Sequence, residues 1–281
     1  MDKRKNVKGT IVTISIIIFL SILSLAQIFP FYLQLVTSLQ PTEGFVPIDG
    51  HIYLWPVKFC FENYARALEE GDLLVGVKNT LIVSFGFILL SSILILIVGY
   101  VLAKKKFRGS KVISFVLLLT MMVPGEMLMV TNYQLVSELN WTSTYAGLIL
   151  PGIVNVTGIF LVKSFMDNVP DSFLEAARLD GTNELMIILR FVLPMCLPVM
   201  ATYFILTFIA QWNDYLWPML ITGDDALFTI QLKLMNFSIG GGFEEVALRS
   251  AALIITLVPV VIVYCCCQKQ FVGGLNFSGV K

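Results

Sequence analysis

Long apolar blocks separated by short polar links make up most of this chain. A block of about 20 apolar residues crosses the hydrocarbon core of a membrane as a helix. The blocks are continuous and lack the alternating polarity of barrel strands. The pattern predicts an all-α integral membrane protein, a single transmembrane domain over residues 1–281. Its six transmembrane helices are expected at residues 11–36, 79–103, 112–133, 145–166, 191–212 and 249–268.

The composition agrees with this class. The chain is 57% hydrophobic and 14% charged, whereas soluble domains average about 45–50% apolar and about 25% charged residues. The formal net charge is zero, so no basic surface indicates a nucleic-acid partner. We therefore expect membrane lipid around the chain, and no nucleic acid.

The placement of Lys and Arg predicts the topology. Cytoplasmic links of membrane proteins carry an excess of these residues. Both termini are then cytoplasmic, in agreement with an even number of spans. Fourteen of the 19 basic residues lie on this side: Lys3, Arg4, Lys5, Lys8, Lys104, Lys105, Lys106, Arg108, Lys111, Lys163, Arg178, Arg190, Lys269 and Lys281.

The first span has an alternative interpretation. Its basic start, its apolar run and Ser24-Leu25-Ala26 resemble a secretory signal with a small-x-small cleavage site. The apolar run continues to Val36, which is long for a signal core. We expect the span to be retained as a membrane helix.

The two long outer links, about 38–78 and 213–248, carry more acidic than basic residues. They are either solvated faces or a docking surface for a soluble partner. Gly240-Gly241-Gly242 is either a flexible turn or a point of close approach to a ligand or partner. The acidic residues are Glu43, Asp49, Glu62, Glu69, Glu70, Asp72, Asp214, Asp224, Asp225, Glu244 and Glu245.

No catalytic constellation of residues appears in the sequence. No Gly-Lys dipeptide occurs, so the chain has no phosphate-binding P-loop. The lone His51 has no metal-site spacing around it. The cysteines are Cys60, Cys196 and the run at 265–267, and they form no disulfide framework. We interpret the run of three cysteines as ordinary apolar residues of the last span, with acylation of these cysteines as the alternative. We predict no catalytic residue, metal or cofactor.

Glu126 is the one carboxylate well inside a predicted span, directly after Pro124 and Gly125. A charge at the bilayer centre costs at least about 2.5–3.5 kcal/mol, so such a group usually faces a polar cavity. The alternative is a shorter span that leaves Glu126 near the outer interface. The sequence leaves both readings open.

A polar, helix-capable segment at 167–190 separates the fourth and fifth spans. Pro170 disfavours continuation of the preceding helix. Ser172 and Glu175 have the spacing of a capping box, and Glu175 can pair with Arg178 three residues later. Gly181 is a natural helix stop. The pattern predicts a short helix, a tight turn and a second helix capped by Thr182 or Asn183.

One side of this short helix is suited to close contact with another surface. We expect Phe173, Ala176, Ala177 and Asp180 to share that side, where the small alanines permit a close approach. An ordinary interfacial helix is the alternative reading.

The segment resembles the signature of ATP-binding-cassette importer permeases. That signature is Glu-Ala-Ala, three residues, Gly, nine residues, a branched aliphatic, one residue and Leu-Pro. Here it falls on Glu175, Ala176, Ala177, Gly181, Leu193 and Pro194, with Phe191 in place of the aliphatic residue. The spacing is complete.

Three further stretches are similar to the carbohydrate-uptake, maltose-type branch of these permeases. They are residues 211–218, which begin Gln-Trp-Asn-Asp, residues 140–146, and the tail from Gln268. The resemblance extends from about residue 59 to the C-terminus. Thr131-Asn132 and the absence of a final glycine depart from the pattern, which leaves the exact substrate undecided.

The resemblance implies a transport subunit of a type I importer and no enzyme. A second permease subunit, two ATPase subunits and an extracytoplasmic sugar-binding protein would be its partners. Glu175, Ala176, Ala177, Asp180 and Gly181, with Leu193 and Pro194, would couple it to the ATPases. Glu126, Trp212 and Asn213 are candidates for the pathway. A permease for a non-sugar solute and a self-contained channel or secondary transporter are the alternatives.

Overall fold

Helices are the only regular structure in residues 2–42, 53–240 and 246–278, the parts of the chain that the computed structural model describes. The all-α prediction is confirmed for these residues. His51, Gly241 and Gly242 lie outside them, as do Glu43, Asp49, Glu244 and Glu245. In chain order the helices are α1 (Asp2–Ser38), α2 (Glu62–Glu70), α3 (Leu73–Lys104), α4 (Ser110–Thr120), α5 (Gly125–Glu138), α6 (Tyr145–Ile149), α7 (Val156–Asp167), α8 (Asp171–Leu179), α9 (Glu184–Ile187), α10 (Leu193–Trp212), α11 (Leu216–Ile221), α12 (Ile230–Gly240) and α13 (Val246–Ser278).

Four helical stretches in the described residues are long and apolar enough to cross a membrane. They are Val12–Ser38, Leu73–Lys104, Glu184–Trp212 and Val246–Gln268. Two bent helix pairs, α4 with α5 and α6 with α7, add up to two more spans if each pair crosses once. The part of the chain that the structure describes therefore holds four to six candidate spans.

The predicted span over 112–133 is not one continuous helix. The structure has two helices there, α4 and α5, which bend by 97°. Pro124 stands between them with extended backbone angles, φ −58 and ψ 132. Proline lacks the N–H that a continuing helix needs and also drives the preceding residue out of the helical region.

The block at 145–166 is also divided. Helix α6 ends in a 3₁₀ turn at Leu150–Gly152, which includes Pro151. Asn155 then starts α7, accepting a hydrogen bond on its side chain from the backbone of Gly158 at 2.8 Å. The two helices bend by 46°. A proline turn followed by a fresh N-cap accounts for the change of direction.

The chain forms two compact units. The first contains residues 1–73 and 234–257. Within it, the buried Asn63 at the start of α2 donates to the carbonyl oxygens of Ser38 and Gln40, each at 2.8 Å. Along α1 the side chains from 12 to 32 are exposed and predominantly apolar. A helix with apolar residues on all sides requires a non-aqueous environment.

The second unit contains residues 74–233 and 258–281. Its largest core cluster joins residues of α3, α7, α8 and α10. Helices α3 and α7 approach closely at Gly99, where a Cβ atom would stand 2.7 Å from Val162 Cγ1. The buried hydroxyl of Tyr203 on α10 donates to Ser91 on α3 at 2.7 Å. These contacts hold the cluster on which α8 rests.

Candidate functional site

The polar segment folds as the predicted short helix, α8, in the second unit. It begins at Asp171, one residue after Pro170, whose φ of −61 and ψ of 135 separate it from α7. No side chain caps this start, so the predicted capping box between Ser172 and Glu175 is wrong. Because the helix begins earlier, Ser172 lies inside the first turn and cannot act as its N-cap.

Gly181 ends α8 as predicted. Its φ is +79, in the left-handed region, where glycine has no steric penalty. The backbone N–H of Thr182 donates to Ala177 at 3.1 Å and that of Gly181 to Arg178 at 3.0 Å, the two bonds of a Schellman motif. Asn183 then caps α9 by accepting from the backbone N–H of Met186 at 2.8 Å. Of the two predicted caps, the structure selects Asn183.

The buried and exposed sides of α8 differ from the expectation. Leu174 and Ala177 are buried in the core cluster, so the prediction that Ala177 shares the open side is wrong. Phe173, Ala176 and Asp180 are exposed as expected. Leu179 is 89% exposed and was not predicted as a contact residue. The helix thus uses one side for its own core and leaves another side, with Glu175 and apolar residues, open.

Lys104 anchors the start of α8 to the end of α3. Its ammonium donates to the carbonyl oxygen of Val169 at 2.5 Å and to Asp171 Oδ1 at 2.8 Å. The Lys104 side chain is only 6% exposed, whereas that of Asp171 is 54% exposed. The hydrogen bond from Lys104 holds the pKa of Asp171 below its ordinary value of 3.8.

A second polar cluster anchors the other end of α8. Tyr100 on α3 donates to Glu184 Oε2 at 2.8 Å and accepts from Arg178 Nη2 at 3.0 Å. Arg178 Nε also donates to Glu184 Oε1 at 3.0 Å, and Lys105 pairs with the same carboxylate. Arg178 therefore pairs with Glu184 and not with Glu175, the partner expected from helical spacing. Burial opposes the charged form of Arg178, but hydrogen bonds to Glu184 and Tyr100 outweigh it and raise its pKa.

Leu193 and Pro194 stand at the start of α10, where the second signature block was expected. A π-helical turn, Ile188–Val192, precedes them, and the N–H of Leu193 donates to the carbonyl oxygen of Ile188. A wider turn of this kind accommodates Pro194, which cannot donate a helical hydrogen bond. The helical path from α9 into α10 is therefore unbroken, and Leu193 packs against the core cluster that holds α8.

The three candidate pathway residues lie away from α8 along the chain. Glu126 is exposed in the first turn of α5, directly after the 97° bend. Asn213 is exposed at the end of α10, and its side chain donates to the carbonyl oxygen of Ile209 at 2.8 Å. Trp212 is 1% exposed and stacks on Phe208 with 5.5 Å between ring centroids.

Four anchor residues were missed from the sequence: Tyr100, Lys104, Lys105 and Glu184. In the sequence the two lysines indicated only the cytoplasmic side of the membrane. Tyr100 was one aromatic residue within an apolar run. Most of their partners lie 65 to 84 positions away in the chain, and Glu184 also has a near partner in Arg178, six positions before it. The one local signal was a carboxylate, Glu184, directly after the Asn183 cap. No group of three or more potential metal ligands occurs within the described residues.

Comparison with known proteins identifies the family. The family model of the binding-protein-dependent transport system inner membrane component matches residues 95–274, more than half of the chain. The chain belongs to this family. The match includes α8, its anchors and all the signature residues. The chain is accordingly a multi-pass permease component of a bacterial cell membrane transporter, and not an enzyme.

Individual relatives extend over nearly the whole permease. The arabinooligosaccharides transport system permease protein AraQ of Bacillus subtilis is 28% identical over 99% of both chains. The sn-glycerol-3-phosphate transport system permease protein UgpE of Yersinia pestis is 30% identical over 96% of this chain and 98% of the relative.

A solved structure is similar to the permease in fold. It belongs to a bacterial ABC transporter involved in the import of the acidic polysaccharide alginate. Its TM-score is 0.82 at 24% identity, over 96% of this chain and 99% of that one.

Proposed function

We propose that this permease forms half of the translocation pathway of an ATP-driven, binding-protein-dependent sugar importer. In this proposal the chain is one transmembrane domain with six spans and cytoplasmic termini, each bent helix pair counting as one span. Residues 167–190 form a cytoplasmic coupling loop. The basic residues on that side support this topology, and the two carbohydrate-related transporters among its relatives support the substrate class.

The observation that carries the proposal is the division of α8 into an anchored side and an open side. Leu174 and Ala177 fasten it to the core cluster, while Phe173, Glu175, Ala176 and Leu179 remain exposed. An exposed leucine on a rigidly held helix outside the apolar spans fits a groove on a partner protein. We assign that groove to an ATPase subunit.

The proposed cycle uses the anchors as rigid connections. A second permease subunit would complete the pathway, and two ATP-binding-cassette ATPases would each hold one coupling helix. When ATP closes the ATPases, α8 moves, and its contacts with α3 and α10 transmit the displacement to the spans. Leu193 and Pro194 stand where that motion would enter α10. An extracytoplasmic sugar-binding protein would dock on the acidic outer links, and access alternates by rigid-body rocking.

The coupling role is tested with Leu179→Glu in the complete transporter. A carboxylate in an apolar groove loses hydration without gaining a partner, so we expect ATPase subunits to co-purify at least about tenfold less. Val57→Glu, which places the same charge on another exposed apolar residue, is the matched control and should leave the yield unchanged. Equal ATPase recovery with Leu179→Glu would contradict the coupling role.

The pathway residues remain proposals as well. Glu126 follows the bend between α4 and α5 and is exposed, so we propose that it lines the pathway together with Asn213. Trp212 would contact solute only after leaving its stack with Phe208. In reconstituted transporter, Glu126→Gln should change the transport rate while leaving subunit assembly intact. An unchanged rate would exclude Glu126 from the pathway.

A second substrate class is supported by the UgpE relatives, which are named for sn-glycerol-3-phosphate and are 30% to 31% identical to this chain. In that case the solute would be a phosphorylated polyol. Identifying the ligand that co-purifies with the cognate binding protein distinguishes the two classes. A neutral sugar supports the first proposal, and a phosphate ester supports the second.

A further inference from the structure

The link between α3 and α4 borders a pocket of about 860 Å³ that the proposed transport cycle does not use. Five basic side chains line it, and none of its lining residues, all in the described part of the chain, is a carboxylate. The five are Lys105, Lys106, Arg108, Lys111 and Lys163.

Part of this positive charge is not neutralised within the protein. Lys105 pairs with Glu184, and Lys163 pairs with Asp167 at 2.7 Å. Arg108 and Lys111, in contrast, form no ion pair with any residue in 2–42, 53–240 or 246–278. Both are exposed. The pocket therefore retains net positive charge, which favours an anion.

A tight turn concentrates these cations. Gly109 has a φ of +97, which lets the chain reverse between Arg108 and α4. The backbone N–H of Ser110 donates to Phe107 at 3.3 Å and that of Ile113 to Gly109 at 2.9 Å. Arg108 and Lys111 consequently lie on either side of one hydrogen-bonded turn.

The remaining wall of the pocket is apolar. Leu102 of α3 and Val112, Phe115 and Leu118 of α4 contribute to it. The three α4 residues are spaced three apart, which places them along one stripe of the helix, and all three are exposed. Helix α3 is a candidate span, and α4 belongs to one when it is taken together with α5. Their link therefore lies at a membrane face, and the stripe leads from it along the apolar part of α4.

We propose that this pocket binds an anionic phospholipid, with the phosphate group on Arg108 and Lys111 and an acyl chain along the α4 stripe. Cations beside an apolar stripe match both parts of such a lipid, whereas a soluble anion would leave the stripe unused. Basic pockets between membrane helices are known to hold lipid headgroups of this charge. The proposal depends on α3 and α4 being membrane helices, and not on the coupling role of α8.

The test uses the complete transporter, freed of bound lipid and reconstituted in discs of phosphatidylcholine with a small fraction of labelled phosphatidylglycerol. Each basic residue near a membrane surface contributes about a factor of five to binding of anionic lipid. The double variant Arg108→Gln/Lys111→Gln should therefore bind phosphatidylglycerol about 30-fold more weakly. The control Lys58→Gln/Lys78→Gln removes two exposed lysines outside the pocket and should bind like the unmodified protein.

Three results would overturn the proposal: unchanged binding by the Arg108/Lys111 variant, equal binding of phosphatidylcholine, or displacement of the lipid by an equal concentration of inorganic phosphate. The third would indicate a soluble-phosphate site. If the double variant does not assemble, Arg108→Lys/Lys111→Arg keeps the charge and must bind normally. Preference for phosphatidylglycerol over phosphatidylcholine in the unmodified transporter then decides the question independently.

Discussion

The hydroxyl of Tyr100 is the atom on which the C-terminal anchor of α8 depends. It donates to Glu184 at 2.8 Å and accepts from Arg178 at 3.0 Å, while its ring is buried in the core cluster. Tyr100→Phe removes the hydroxyl and keeps the ring. The variant therefore separates the anchoring of α8 from the packing of α3.

The expected cost follows from these two hydrogen bonds. A hydrogen bond to a charged group contributes about 1.5–3 kcal/mol when its partner is left buried without replacement. Here the Arg178 and Glu184 side chains are 34% and 45% exposed, so water replaces part of what is lost. We expect α8 to lose about 1–2 kcal/mol of local stability.

Hydrogen exchange of the α8 amides in the reconstituted permease measures this cost, because local opening sets the exchange rate. A loss of about 1–2 kcal/mol corresponds to exchange that is about 5- to 30-fold faster. Glu70→Gln, which breaks the exposed Arg66–Glu70 pair in the other unit, should leave α8 unchanged. If the effects of Tyr100→Phe and Glu184→Gln simply add in the double variant, the two groups are not coupled and the anchor assignment is wrong.

Three further predictions follow from the same unit. Gly99→Ala should destabilise the permease by about 1–3 kcal/mol in detergent-induced unfolding, because its Cβ would stand 2.7 Å from Val162 Cγ1. The same substitution made together with Val162→Ala should restore most of the lost stability. A Gly99→Ala variant as stable as the unmodified protein would contradict the close approach of the two helices. Gly181→Ala should lower the local stability of α8 by about 1–2 kcal/mol, measured by hydrogen exchange. The cause is the φ of +79, since no neighbouring atom would meet the new Cβ. The control Gly109→Ala, also at a positive φ, should leave α8 unaffected. In the Lys104–Asp171 bridge, the hydrogen bond from Lys104 lowers the pKa of Asp171. The bridge therefore stabilises the folded state above pH 3.8. This contribution is lost as the pH falls through the lower pKa that Asp171 has in the folded state. Opening of α8 should therefore not change between pH 7 and 5 on this account. Below that range Asp171→Asn should remove the part of the acid dependence that Asp171 causes. The part caused by Glu184, whose pKa is lowered to about 2 by its hydrogen bond from Lys105, should remain.

Local chemistry made several features of the candidate site predictable. Gly181 and Asn183 are recognisable because the backbone angles and caps they provide depend on their own side chains and on neighbours within five residues. Pro170 was likewise a reliable boundary. The capping box failed because the helix starts two residues earlier than the box requires, which changes the side chain that can reach the free N–H groups.

The orientation of α8 was not predictable in the same way. Helical periodicity places Ala176 and Ala177 side by side, but only packing decides that Ala177 is buried and Ala176 exposed. Arg178 had a local partner in Glu175 and a distant one in Glu184. The structure selects the distant one because Tyr100 and Lys105 meet the same carboxylate and form a network.

The sequence by itself determined that this is a membrane protein. It also determined the ends of the long apolar segments to within several residues, and the polar helical segment at 167–190 between two of them. Those features depend on transfer free energy, charge and local backbone preference, all of which are summed over neighbouring residues. The tertiary structure alone decided the anchoring of α8 by Tyr100, Lys104 and Glu184, and it brought Lys163 to the cationic pocket beside α4. Each of these depends on which surfaces meet in space, and residues up to 84 positions apart carry no local signal of their contact.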